Sequence, residues 1–264
     1  MALAEVFLPL TQLSAMKKTF FNLLTSLRIF SIFLSLLFLL SGSFLSGVQA
    51  QTPDSEAERN LFPKNAVILF QGDSVTDGNR GRSADPNHIH GHGYVYLIAS
   101  YLGAAYPEQN WTFVNRGVSG NTLKELHERW EKDALAIQPD VLSIMIGVND
   151  FGRKVSPEEY EKNYDSLLKR TRERLPNVRL VLMEPLWRSP GSDVQDAYRQ
   201  IVRRMAERYD AVFVPLQEDF NSVFDSAPDP KYWVWDSVHP TTAGHWRIFR
   251  AWLESVKKSN SEKR

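Results

Sequence analysis

Four short stretches of this chain carry the residue types that acyl transfer requires. Gly72-Asp73-Ser74 places a serine just after the apolar run at residues 66–70. Asn115-Arg116-Gly117-Val118-Ser119-Gly120-Asn121 is a glycine-bearing block, and Gly147-Val148-Asn149-Asp150 brings a side-chain amide to another turn. Asp236-Ser237-Val238-His239-Pro240 sets a carboxylate three residues before an imidazole. Taken alone, Gly-Asp-Ser reads as a turn, because all three residues are turn formers. Jointly the stretches fill every role that a serine nucleophile needs: a base, a group that orients the base, and donors for a developing oxyanion. Ser74 is then the nucleophile, His239 the base, and Asp236 the orienting carboxylate, provided a tight turn or one helical turn separates the last two. The oxyanion donors are the backbone N–H of Ser74, the backbone N–H of Gly120 and the amide of Asn149. Gly120 suits this because a residue without a side chain lets backbone approach a substrate.

These residues lie far apart in sequence, so the elements between them must bring them together. Apolar runs of strand length occur at residues 66–70, 111–114, 141–146, 178–183 and 211–216, with helical patterns between them. Thr122 with Glu125 three residues on is a capping box; Leu123, Leu126, Trp130, Ala134 and Ile137 follow on one helical face. Ser156-Pro157 opens a helix whose stripe is Tyr160, Tyr164, Leu167, Leu168, Thr171 and Leu175. Further helices are expected at 194–209 and 241–256, the last burying Trp246, Phe249, Trp252 and Leu253. Strand and helix alternation predicts an α/β fold: a three-layer α/β/α sandwich on about five parallel strands. Ligands of such sheets sit beyond the carboxyl ends of the strands. Ser74, the Gly117–Gly120 turn and Asn149 each follow a predicted strand and so share that edge.

In this order the four blocks resemble the SGNH (GDSL) hydrolase family, over roughly residues 65–257. The resemblance implies a flavodoxin-like sandwich, the roles assigned above, and no metal or cofactor. Within the family the chain is most similar to bacterial acetylxylan esterase-like members, on residues 70–77, 117–122, 143–150 and Trp235-Asp236-Ser237-Val238-His239-Pro240. In that subgroup an aromatic beside the triad Asp lines a small acyl pocket, a place held here by Trp235, and Asp73 is a second candidate on the substrate side. A small pocket implies acetyl esters, and the subgroup implies an acetylated carbohydrate such as xylan or xylo-oligosaccharides. The rivals are a lipolytic esterase, lysophospholipase or thioesterase of the same family, and a carbohydrate-binding protein that kept the fold without the activity.

Other groups invite chemistry and have plainer readings. His88, His90 and His92 alternate, as a zinc site on an extended segment would require; a polar loop near the site is the favoured reading. Asp73 and Asp77 resemble a glycosidase carboxylate pair and read better as turn and support residues around Ser74. Asp150 reads as orienting local backbone. Trp187 and Arg188 fit either a sugar contact or loop packing, and Trp233 is not separable from core packing.

The 264-residue chain is 43% hydrophobic and has no cysteine, which excludes disulfides and a lipidated cysteine. Lys17-Lys18, a long apolar run and Val48-Gln49-Ala50 have the layout of a secretory signal peptide. Residues 1–50 are therefore expected to be removed, with 1–15 a misassigned start and an uncleaved anchor as the rival; residues 51–64 read as a polar tether and 65–264 as one hydrolase domain. From Gln51 onward 28 basic face 30 acidic side chains, a net charge of −2. That balance gives no reason to expect nucleic acid or an anionic membrane as a partner. The oligomeric state is not legible. The expected location is the periplasm or the exterior.

Overall fold

The computed structural model describes residues 55–188 and 191–262. Residues 1–50, the expected signal peptide, and residues 51–54 of the expected tether lie outside the described residues. The elements run α1 (Ser55–Arg59), β1 (Val67–Gly72), α2 (Ser74–Asp77), α3 (Tyr94–Ala105), β2 (Thr112–Asn115), α4 (Leu123–Asp133), β3 (Val141–Met145), α5 (Val148–Gly152), α6 (Pro157–Arg174), β4 (Arg179–Met183), α7 (Asp193–Arg208), β5 (Val212–Val214), α8 (Leu216–Asn221) and α9 (Thr242–Glu262). The five strands form one parallel sheet in the order β2-β1-β3-β4-β5. This is the expected five-stranded α/β sandwich, with flavodoxin-like strand order.

Strand periodicity divides the core. Ile68 and Phe70 turn to one face of β1, with the helices α3 and α9, while Leu69 turns to the other, with α4, α6 and α7. Both faces are covered, so the strands are mostly apolar, as a parallel sheet requires. Helix starts follow their capping chemistry. Ser156 Oγ accepts from the Glu159 N–H at 3.2 Å, with Pro157 at the first helical position. Glu125 reaches back to the Thr122 N–H at 2.7 Å. Tyr160, Tyr164, Leu167, Leu168 and Thr171 are buried along α6 as the 3.6-residue period predicts.

Two expectations fail. Residues 55–64 are not a free tether: Leu61 and Phe62 are buried, and Phe62 packs against Trp111 and Trp252 with ring centroids 5.4 and 6.1 Å away. Buried Glu58 accepts from Tyr101 and Tyr106 hydroxyls at 2.8 and 3.0 Å and pairs with Lys257 at 3.1 Å. Two apolar anchors behind a polar run suffice to dock the segment. Trp246 is 50% exposed rather than buried. The buried face of α9 centres on Ile248, Phe249, Trp252 and Leu253, so Trp246 falls at its margin and lies against Phe249 at 5.0 Å.

Strand order places the site. β1 lies between β2 and β3, so the loops leaving all three are neighbours at one edge of the sheet. The chain goes from β1 to β2 on one side and to β3 on the other, which makes β1 the switch point where a crevice opens.

Candidate active site

β1 ends at Gly72, and the chain turns at once into the single helical turn α2. Asp73 caps that turn: its Oδ1 accepts from the Val75 N–H at 3.0 Å. Ser74 is therefore the first helical residue. Its hydroxyl lies 2.8 Å from His239 Nε2, and His239 Nδ1 lies 2.7 Å from Asp236 Oδ2. The structure thus brings Asp236, His239 and Ser74 into one chain of hydrogen bonds across 165 residues of sequence.

Asp236 sits in a tight turn closed by the Val234–Pro240 bridge and by Trp235 N–H to His239 O at 3.0 Å. Its Oδ1 accepts the N–H groups of Val238 and His239, both at 2.8 Å. Burial pushes the Asp236 carboxyl up, but the His239 amide, the His239 ring and the Val238 amide outweigh it and hold it at about 2. An ionised carboxylate only accepts, so the Nδ1 proton points to Asp236 and Nε2 is left to accept from Ser74. That is the tautomer a general base needs.

The loops after β1, β2 and β3 are tied to one another. Val118 N–H donates to Gly72 O at 3.1 Å, and Ser119 N–H to Asp77 Oδ2 at 2.9 Å. Asn115 Nδ2 reaches the carbonyls of Thr76 and His90 at 2.7 and 3.0 Å. Gly117 is pressed so close to α2 that a Cβ there would meet the Asp77 amide nitrogen at 2.4 Å. The third loop joins through Asn149 Nδ2 to Asn121 O at 3.0 Å and Leu123 N–H to Asp150 Oδ1 at 3.1 Å. Arg153 clamps Gly120 O and Glu125, both at 2.7 Å. Gly120 has φ +82° and open space where a Cβ would stand, so backbone conformation rather than crowding in the free protein calls for glycine. Among the described residues neither the Ser74 nor the Gly120 N–H meets an acceptor.

The remaining candidates separate cleanly. Trp235 is 60% exposed beside Asp236. Asp73 is buried behind Ser74, the place of a support and not of a surface a ligand touches. Burial and the neighbouring Asp150 raise its carboxyl to about 7, against the Val75 amide. Asp150 is raised to about 6 by burial, and its Oδ2 has no hydrogen-bond partner. Asp77 takes Arg82 at 2.7 and 3.0 Å and the Ser119 amide, a brace and not half of a glycosidase pair. Residues 86–90 form turns, so the three histidines do not line up along an extended strand. Trp187 is core, packed edge-on to Phe151 and Tyr198 at 5.5 and 6.5 Å. Trp233 packs too, its Nε1 donating to Val223 O at 3.0 Å. Arg188 holds the Asp236 turn through Trp235 O and Ser237 O at 3.2 and 3.0 Å.

Sequence reasoning left Arg188 between a sugar contact and loop packing, and missed the brace Arg153 and the imidazole of His245. That imidazole is buried, accepts from the Tyr94 N–H at 3.2 Å, and is lowered to about 4 by burial and by His92 and His239. No local motif marks any of them.

A model of the GDSL-like lipase/acylhydrolase family matches residues 70–247, a span that holds every one of these site residues. The chain belongs to that family. It is a carboxylic ester hydrolase. It is 36% identical over 206 residues to an acetylxylan esterase of Geobacillus stearothermophilus, covering 72% of this chain and 93% of that protein. The crystal structure of Axe2, an acetylxylan esterase from the same organism, superimposes with a TM-score of 0.68 at 35% identity, over 74% of this chain and 95% of the other. LAE5, an alpha/beta hydrolase from the metagenome of Lake Arreo, matches with a TM-score of 0.69 at 34% identity over 74% and 97%.

Proposed function

We propose that this protein is an exported serine esterase that removes acetyl groups from O-acetylated carbohydrate such as xylan or xylo-oligosaccharides. The observation that carries the reading is the unbroken hydrogen-bond chain from Asp236 through His239 to Ser74. His239 takes the Ser74 proton as Ser74 Oγ attacks the ester carbonyl, and gives it to the departing sugar oxygen, which leaves as the hydroxyl. Water, activated by the same imidazole, then hydrolyses the acetyl-enzyme. The amides of Ser74 and Gly120 and the side chain of Asn149 receive the oxyanion; one such donor is worth about 3 kcal/mol of barrier. Trp235, exposed beside the triad turn, supplies an apolar wall for a short acyl group. Likeness to an acetylxylan esterase over most of both chains supports the carbohydrate side of the reading. The signal-like segment at residues 1–50 supports export, to where such a polymer is met.

The test is acetate release from acetylated xylan, with aryl esters of short and long acyl chains beside it and Ser74→Ala as control. Acetate that vanishes in the variant supports nucleophile and substrate together. Hydrolysis of long-chain esters without acetate from xylan would assign a lipolytic enzyme. No hydrolysis of any ester would sink the acyl-transfer reading.

A further inference from the structure

Beside the edge strand β2, away from Ser74, lies a cavity of about 420 Å³ lined by Arg80, Arg82, His90 and Arg116, with Phe113 in its wall and no carboxylate among its lining residues. Three guanidiniums thus share one hollow. Arg82 uses its charge on Asp77, at 2.7 and 3.0 Å. Arg80 gives its Nε–H to Gly117 O at 2.9 Å and forms no ion pair among the described residues. The Arg116 side chain makes neither a hydrogen bond nor an ion pair there, and its Nε is fully buried without a partner. His90 Nδ1 is likewise buried and unpartnered. Arg116 and Arg80 therefore bring positive charge to a hollow that no lining carboxylate meets, Asp77 and Asp133 being the acids whose charges act on Arg80 from beside it.

We propose that this cavity binds a carboxylate, held by Arg116 and Arg80. A guanidinium presents paired N–H groups in a plane, the shape a carboxylate matches with two parallel hydrogen bonds. Burial and the neighbouring Arg82 and Arg116 charges lower the Arg80 pKa, which an anion in the cavity would relieve. The occupant also bears on the catalytic loop. Arg80 holds Gly117 O, and Arg82 holds the Asp77 carboxylate that receives the Ser119 N–H. A bound carboxylate therefore steadies the segment that leads to Gly120. Two sources share this chemistry: a uronic acid on a branched glycan, and free acetate. The binding claim is independent of the esterase reading, since neither ligand is hydrolysed.

The experiment is calorimetric titration of the purified protein with sodium glucuronate, acetate and phosphate at constant ionic strength, with chloride as the balancing salt. Glucuronate or acetate should bind saturably at one site, and roughly ten- to hundredfold more weakly to Arg116→Gln. Ser83→Glu, at the rim and away from the core, should block the same site by supplying a carboxylate from the protein. Glucuronate tighter than acetate assigns an acidic sugar; equal affinities assign the free acid. Heats that follow ionic strength alone, binding unaltered by both variants, or phosphate preferred over both carboxylates would overturn the proposal. So would a change of assembly mass in Arg116→Gln without carboxylate binding, which would give the guanidiniums to a partner chain.

Discussion

Two regions meet at Ser74, and they are built on opposite principles. The loops after β1, β2 and β3 are short, largely buried, and cross-tied by side chains that bond backbone groups of the next loop. The turn from Trp235 to Pro240 is half-exposed and held by its own backbone, one bridge and Arg188. Their acids differ in the same way. Asp236, with side-chain exposure of 31% and three N–H donors, is ionised across the working range. Asp73 and Asp150, sunk behind the loops, are raised to about 7 and 6. One residue type does two jobs because of what surrounds it. On the proposed mechanism the buried loops set where charge develops, and the exposed turn supplies the base that moves the proton.

If that division holds, the two regions fail differently when cut. The largest effect should come from the turn. Asp236→Asn leaves the shape and removes the charge that fixes the His239 tautomer, so kcat on an aryl acetate should fall about 10³- to 10⁴-fold with a near-native melting curve. A loss below tenfold would mean that His239 is oriented by something else. On the buried side, Asn149→Ala removes one proposed oxyanion donor and should cost about 10²–10³-fold in kcat with KM little changed. A change confined to KM would remove Asn149 from the transition state.

Much of this was legible because it is written in local chemistry. Capping boxes, helical apolar periods and short apolar runs such as residues 66–70 announce helices and strands without reference to the fold. The triad and the glycine and asparagine blocks could be read because each carries a reactive type beside a turn former. What stayed hidden depends on long-range contact. Arg153 reaches Gly120 O and Glu125 across about 30 residues, and its own surroundings, Phe151-Gly152-Arg153-Lys154, look like any surface turn. Leu61-Phe62 seemed part of a tether because the polar run before them dominates the window. Trp246 was misplaced because a helical stripe has margins, and only the sheet beneath α9 tells which side of the stripe is covered.

A smaller effect tests the cross-ties. Asp77→Ala would leave Arg82 without its carboxylate and the Ser119 N–H without its acceptor. Charge-assisted hydrogen bonds to a buried group are worth about 1.5–3 kcal/mol each before relaxation, so urea unfolding should show a loss of roughly 2 kcal/mol. Because Ser119 adjoins Gly120, kcat should drop severalfold as well. Stability lost with kcat intact would separate the brace from the oxyanion site.

The smallest effect is the most specific, because it concerns the sign of a pH dependence. Asp73 has its native carboxyl raised from 3.8 to about 7 by burial and by Asp150. Between those values the unfolded chain gives up this proton while the native state keeps it, so Asp73 makes the protein less stable as pH rises from about 4 to 7. Above 7 both states are ionised and the full penalty remains. Asp236, lowered from 3.8 to about 2, acts the other way: its contribution is present above 3.8 and is lost as pH falls through 2. Asp73→Asn keeps a side-chain oxygen to cap α2 and cannot ionise. The variant should therefore show a flatter melting-temperature profile from pH 4 to 7 and exceed the parent in stability at pH 8. A parallel profile, or a variant that loses most at pH 8, would place the ionised form of Asp73 in the native state and dissolve the contrast between the buried acids and the exposed one.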